Sequence, residues 1–243
     1  MKPVVALAAM VLVGACAGQG DRQVLVSAAA SLTDAFADLE SGFESENPGV
    51  DVVLNLAATS TLRRQILEGA PVDVFASADL PNMEAVVATG LVSGDPRVFA
   101  TNRLQIAVAA GNPTGITGLA DFAERGRLVG LCAEAVPCGS LARQALDSAG
   151  ITPSLDSEEP NVKALLTKIA SGELDAGIVY VTDVGAEPAV EGIDIAPEHN
   201  VENQYAIAVL AGASDRPLAT LFVEYVMSPT GQEIIAGHGF GPR

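Results

Sequence analysis

Short apolar runs that read as strands alternate with amphipathic stripes along almost the whole chain, and that alternation restricts it to an α/β architecture in which strands feed helices. Residues 22–28 read as the first strand. Leu32, Ala35, Phe36, Leu39 and Phe43 then recur at helical spacing until Asn47-Pro48-Gly49 ends the helix. Asp51 to Ala57 reads as a second strand, with a helix from Ser60 to Leu67 and a strand from Val72 to Ala76 behind it. Further strands are expected at 104–110, 128–133, 176–182 and 205–210. Helices are expected at 140–149, 162–171 and 217–227, and Pro229 and Gly237 bracket a last one. No internal repeat or low-complexity linker interrupts the pattern.

The amino terminus has a different grammar. Lys2, an apolar run from Val4 to Val13 and then Gly14, Ala15 and Cys16 follow the charged, apolar and small-residue order of an export signal. The run is too short to span a bilayer. Val13-Gly14-Ala15-Cys16 also fits the lipobox of bacterial lipoproteins. The expectation is a signal peptide over residues 1–15, lipid on Cys16, a tether over 16–21 and an extracytoplasmic chain anchored to the membrane; an ordinary signal peptide cut nearby is the alternative. About 228 residues would remain, enough for one large domain or two modest lobes.

A net charge of −17 argues against nucleic acid or anionic lipid as partner. It also means that an anionic ligand would be repelled at long range and must be held by short-range donors. Beyond Cys16, Cys132 and Cys138 are a candidate disulfide in an oxidising compartment, or two reduced thiols. His199 and His238 are too few for a histidine-rich metal cluster.

The informative feature is how the helices begin. Ser31 follows Ala28-Ala29-Ala30 at the end of the first strand, and Thr59 and Ser60 hold the same place after the second. Pro137-Cys138-Gly139-Ser140 and Glu159-Pro160-Asn161-Val162 open two more helices. Open α/β sheets bind ligands beyond the carboxyl ends of their strands. Helix starts there present free N–H groups and a positive dipole end to anions. Each hydroxyl by itself also reads as an ordinary helix cap.

As an ordered set, Ala28-Ala29-Ala30-Ser31-Leu32, Ala58-Thr59-Ser60-Thr61-Leu62, the stretch from Gln65 to Asp79, Val136-Pro137-Cys138-Gly139, Gly177-Ile178-Val179-Tyr180 and Gly237-His238-Gly239-Phe240 resemble the periplasmic molybdate-binding proteins of bacterial ABC importers. The resemblance runs from about residue 22 to the carboxyl terminus. It implies a type II periplasmic-binding fold of two lobes, each a mixed sheet flanked by helices, with the ligand in the cleft between them. Lobe I would comprise residues 22–102 and 205–243 and lobe II residues 103–204, with crossings near Asn102 to Leu104 and Glu202 to Tyr205.

By similarity, the ligand is molybdate or tungstate, bound as an oxyanion with no direct metal ligand and no cofactor. Its donors are the hydroxyls and amides of Ser31 and Thr59, the amides of Cys138 and Val162 and the phenol of Tyr180. The partners implied are the permease subunits of an importer, with the chain itself a monomer. Thr59 stands where many relatives have serine, and Cys138 where they have a small apolar residue.

Another class, a hydrolase, finds little support. The chain has no G-x-S-x-G, H-E-x-x-H, S-x-x-K or P-loop motif, and no catalytic residue is assigned. Sulfate or another solute in the same fold is the nearer alternative. Amino-acid ligands need a guanidinium and an acid that the helix starts lack, although Arg63 and Arg64 lie close to one of them; these two are expected to be solvated or paired with acids such as Asp73.

Overall fold

The computed structural model describes residues 22–243, so the signal peptide, Cys16 and the tether expected at the amino terminus lie outside the described residues. β1 (Arg22–Ala29) leads through a 3-10 turn at Ala30–Leu32 into α1 (Thr33–Glu46), and β2 (Val50–Ala57) leads into α2 (Thr59–Leu67). β3 (Val74–Ser77) and α3 (Leu80–Val87) follow, then the long β4 (Val92–Ala109). The next stretch holds β5 (Val129–Cys132), α4 (Pro137–Ser148), β6 (Ser157–Glu159), α5 (Val162–Ala170), β7 (Ala176–Tyr180), α6 (Val181–Ala186) and β8 (Val190–Asp194). β9 (Glu202–Leu210), α7 (Arg216–Met227) and α8 (Pro229–Gly237) complete it.

The strands run in the order β2-β1-β3-β9-β4-β7-β5-β6, with β8 also on β4. β4 belongs to two sheets: its first part pairs with β9 as far as Arg103, and the stretch from Leu104 pairs with β7 and β8. In the first sheet β1 is parallel to β2 and β3, and in the second β5 is parallel to β6 and β7. Both sheets are mixed and flanked by helices. β3, β5 and β7 are buried throughout, as strands covered on both faces are.

The apolar core is divided in the same way. One cluster gathers α1, β1, α7 and neighbours, where Phe36 meets Phe99 at 6.0 Å and Phe43 meets Phe222 edge-on at 5.2 Å between ring centres. Burial of each such ring contributes about 1.5–3 kcal/mol, so this stripe, more than helix propensity, holds α1 in place. A second cluster is built from α4, α5, β5, β7 and the latter part of β4, and Ala30 and Ala58 join it from the first sheet's strand ends. A third lies under α2 and α3 around Leu62, Phe75 and Met83.

The elements depart from the sequence expectation in several places, and the strands β6 and β8 were not expected. β4 begins twelve residues before the strand expected at 104–110, because Gly94-Asp95-Pro96 sits in a register shift between Ser93 and Arg97 instead of ending the strand. α3 was not expected; Asp79 caps it by accepting the Asn82 N–H at 3.0 Å, with Pro81 in its first turn. The strand expected to reach 182 stops at Tyr180, where Asp183 accepts the Tyr180 N–H at 3.3 Å and starts α6. α4 starts at Pro137, ahead of the expected 140.

Candidate ligand-binding site

A helix leaves its first N–H groups without intrahelical acceptors, and four such starts converge in this molecule. The turn after β1 and the first turns of α2, α4 and α5 meet around one cavity, with the end of β7 against them. Its walls are Ala29, Ala30, Ser31, Ala58, Thr59, Ala78, Val136, Pro137, Cys138, Asn161, Val162 and Tyr180. About 20 Å3 is open to the centre of a water-sized sphere, room for one small compact guest. None of the lining residues is charged.

Ser31, Thr59, Cys138, Val162 and Tyr180 are therefore brought to one place, and none is more than 7% exposed. The backbone supplies several donors. Ser31, Thr59 and Val162 lie in first turns, and Pro137 at the head of α4 has no N–H, which makes the Cys138 N–H the first that helix offers.

The side chains correct one sequence expectation. Neither Ser31 nor Thr59 caps its helix: the cap positions are Ala29 and Ala58, neither with a side-chain bond. Thr59 Oγ1 instead accepts the Ala78 N–H at 3.2 Å. Ser31 Oγ meets the Tyr205 hydroxyl at 3.0 Å. Either hydroxyl can donate in that pair, and donation by Tyr205 would leave the Ser31 hydrogen free for a guest. Tyr180 Oη accepts from Asn203 Nδ2 at 3.4 Å. Thr59 Oγ1 and Tyr180 Oη thus each receive a scaffold hydrogen bond, and Ser31 Oγ shares one with Tyr205. Asn161 is a true cap, accepting the Ala164 N–H at 2.9 Å.

Burial pushes the Tyr180 phenol well above its ordinary pKa, and neighbouring Tyr205, Asp183 and Asp79 add to the rise. Tyr180 accordingly stays a neutral O–H donor. Tyr205 is raised too, chiefly by burial. Asn203, Asn102 and Tyr205 are the supporting residues that the sequence reading did not single out. Their one signal was position, since they lie at or beside the two expected crossings; Asn102 Nδ2 bonds Thr182 Oγ1 at 2.8 Å and Tyr205 packs on Phe240 at 5.3 Å. Arg63 and Arg64 line a separate outer groove with Ser60, Thr61, Leu67 and Ala135. Asp73 pairs with neither, accepting instead from the N–H groups of Leu25 and Ser214.

One wall is covalently tied. A disulfide joins Cys132, at the end of β5, to Cys138, with Cα atoms 6.0 Å apart. Closing so short a loop restricts the unfolded chain, so replacing both cysteines by serine is expected to lower the unfolding free energy by about 2 kcal/mol. Denaturant unfolding measures this, and reductant should then leave the double variant unaffected. An unchanged midpoint would show that the bridge does not stabilise the fold.

Residues 24–241 match the family model of the bacterial extracellular solute-binding proteins. The molybdate-binding protein ModA of Mycobacterium tuberculosis is 42% identical over 223 residues, 91% of this chain and 85% of that protein. Among solved structures, the periplasmic molybdate-binding protein of Azotobacter vinelandii superposes with a TM-score of 0.79 at 21% identity, covering 90% of this chain and 99% of that one. The sulfate-binding protein SubI of M. tuberculosis gives 0.78 at 18% identity, covering 91% and 87%. Scores this close show a shared fold and leave the choice of anion to the site. With the family model spanning nearly all of the described residues and a relative of this identity matched over most of its length, the chain belongs to the bacterial extracellular solute-binding proteins, in the group of the molybdate-binding proteins.

Proposed function

We propose that this protein captures molybdate or tungstate outside the cytoplasm and delivers it to the permease of an ABC importer, with no covalent chemistry on the ligand. Lobe I is assigned to residues 22–102 and 205–243 and lobe II to 103–204, closing on the oxyanion as a monomer. The ligand shell comprises the hydroxyls and amides of Ser31 and Thr59, the amides of Cys138 and Val162 and the phenol of Tyr180. Residues 1–15 are the signal peptide, and Cys16 carries the lipid that anchors the chain through the tether 16–21.

The observation that carries this reading is the convergence of four helix starts on one cavity whose lining holds no charged residue. Thr59 Oγ1 and Tyr180 Oη already accept scaffold hydrogen bonds, so they can turn their hydrogens to the guest beside the amides of the helix starts. A fully deprotonated tetrahedral dianion suits that arrangement. Monohydrogen phosphate would bury a proton without a partner, a penalty of about 1–3 kcal/mol. Sulfate is a smaller anion of the same charge that likewise carries no proton, and the preference for molybdate over it is supported by the 42% identity to the molybdate-binding protein ModA of Mycobacterium tuberculosis.

Calorimetric titration tests the proposal. Molybdate and tungstate are expected to bind one to one at micromolar concentration or below, sulfate more weakly, and phosphate at least about tenfold more weakly still. A folded sample that takes up neither molybdate nor tungstate contradicts it.

A further inference from the structure

Lys163 follows Val162 in the first turn of α5, and its ammonium touches two carboxylates of different standing. Nζ donates to Asp34 Oδ2 at 2.8 Å and lies 3.5 Å from Asp183 Oδ1. Asp34 sits in the first turn of α1, three residues after Ser31, and half of its side chain is exposed. Asp183 is fully buried, its Oδ1 receives no hydrogen bond among the described residues, and its other oxygen holds the Tyr180 N–H. α1 packs in one core cluster and α5 in another, so the Lys163–Asp34 contact crosses the cleft while the Lys163–Asp183 contact stays on one side.

We propose that Lys163 is a positioning residue that latches the closed cleft, anchored on buried Asp183 and reaching across to Asp34, and that it slows release of the bound oxyanion. This rests on the oxyanion reading above. The same side chain ties together α1, α5 and α6, whose starts adjoin or carry Ser31, Val162 and Tyr180. Burial alone would lower the Lys163 ammonium, but Asp183 and Asp34 more than reverse it, so the latch remains charged. Opening the cleft breaks only the contact with Asp34, and the ammonium keeps Asp183 company in both states.

Asp34→Asn is the clean test, because it removes a half-exposed charge that makes no other ion pair among the described residues. Stopped-flow tyrosine fluorescence with molybdate as probe should show release accelerated about two- to fivefold, as for a partly exposed ion pair. Association and the unfolding temperature of the ligand-free protein should not change, and Asp34→Glu should restore most of the slow release. In a Lys163→Gln background, Asp34→Asn should have no further effect. Release at the original rate, or an equal acceleration in both backgrounds, overturns the latch. If the unmodified chain binds no molybdate, the oxyanion reading fails separately. The latch is then decided by fluorescence energy transfer between dyes on the two sides of the cleft: a larger open fraction in Asp34→Asn supports it, and an unchanged fraction overturns it.

Discussion

Gly139→Ala is expected to destabilise the protein by about 3 kcal/mol or more and to abolish high-affinity binding of molybdate. Gly139 lies in the first turn of α4, where that helix bends back against the end of β5. A Cβ there would lie well inside contact distance of the carbonyl oxygens of Ala133 and Cys132. Those atoms are backbone and cannot swing aside as a flexible side chain would. The Cys132 carbonyl also accepts from Arg143 at 2.9 Å, and Cys132 is bridged to Cys138, so the wall has little freedom to yield. The helix must therefore lift, and the Cys138 N–H moves off its aim. For a chain of this size the loss corresponds to a fall of roughly 6–12 °C in unfolding temperature, measurable by scanning calorimetry. An unfolding temperature within a degree or so of the original would show that the approach is not tight.

Ser31→Ala should leave folding nearly intact and weaken molybdate binding by about 1.5–3 kcal/mol, roughly 10- to 150-fold, because one donor to a buried charge is lost. Tyr205→Phe probes the same hydroxyl from behind. It removes the hydroxyl that Ser31 Oγ bonds at 3.0 Å and with it the restraint on the serine rotor, and an affinity loss of about 0.5–1.5 kcal/mol is expected. The two effects should not add. In the Ser31→Ala background, Tyr205→Phe has no serine to orient, so its effect on affinity should largely vanish. Calorimetric titration of the four proteins gives the coupling. Additive losses would mean that Tyr205 acts through packing on Tyr180, whose ring centre lies 6.1 Å away, rather than through Ser31.

These effects explain how an acidic chain can hold an anion. With a net charge of −17, the molecule as a whole repels the ligand proposed for it. Neutral donors fixed in advance act over a few ångströms, where that repulsion is uniform and the local hydrogen bonds are not. Without a lysine or arginine in the lining, the site also avoids neutralising every passing carboxylate.

Much of this was legible from residue order, for reasons specific to each element. The α1 stripe of Phe36, Leu39 and Phe43 announces its buried face through helical period, and β3 and β5 announce theirs through short runs of small and apolar residues. The strand-to-helix steps at Ser31, Thr59 and Cys138 and the helix start at Val162 are likewise visible because each is local, whereas the three-residue β6 before Val162 is not. What could not be read is whatever depends on distant partners. Ser31 and Thr59 look like caps until Tyr205, 174 residues away, and the Ala78 amide are seen to claim their oxygens. β4 hides its first half behind Pro96, since a register shift that tolerates proline is recognisable only beside its partner β9. α6 hides behind the β-branched Val181 and Thr182, which favour a strand until Asp183 turns the chain.

The most direct test of the account is a crystal structure of the molybdate complex with diffraction recorded on both sides of the molybdenum absorption edge. A single anomalous peak is predicted in the cavity between α2, α4, α5 and the end of β7, with the anion's oxygens in hydrogen-bond reach of Ser31, Thr59, Cys138, Val162 and Tyr180. A peak in the outer groove by Arg63 and Arg64, or no ordered peak at saturating molybdate, would contradict it.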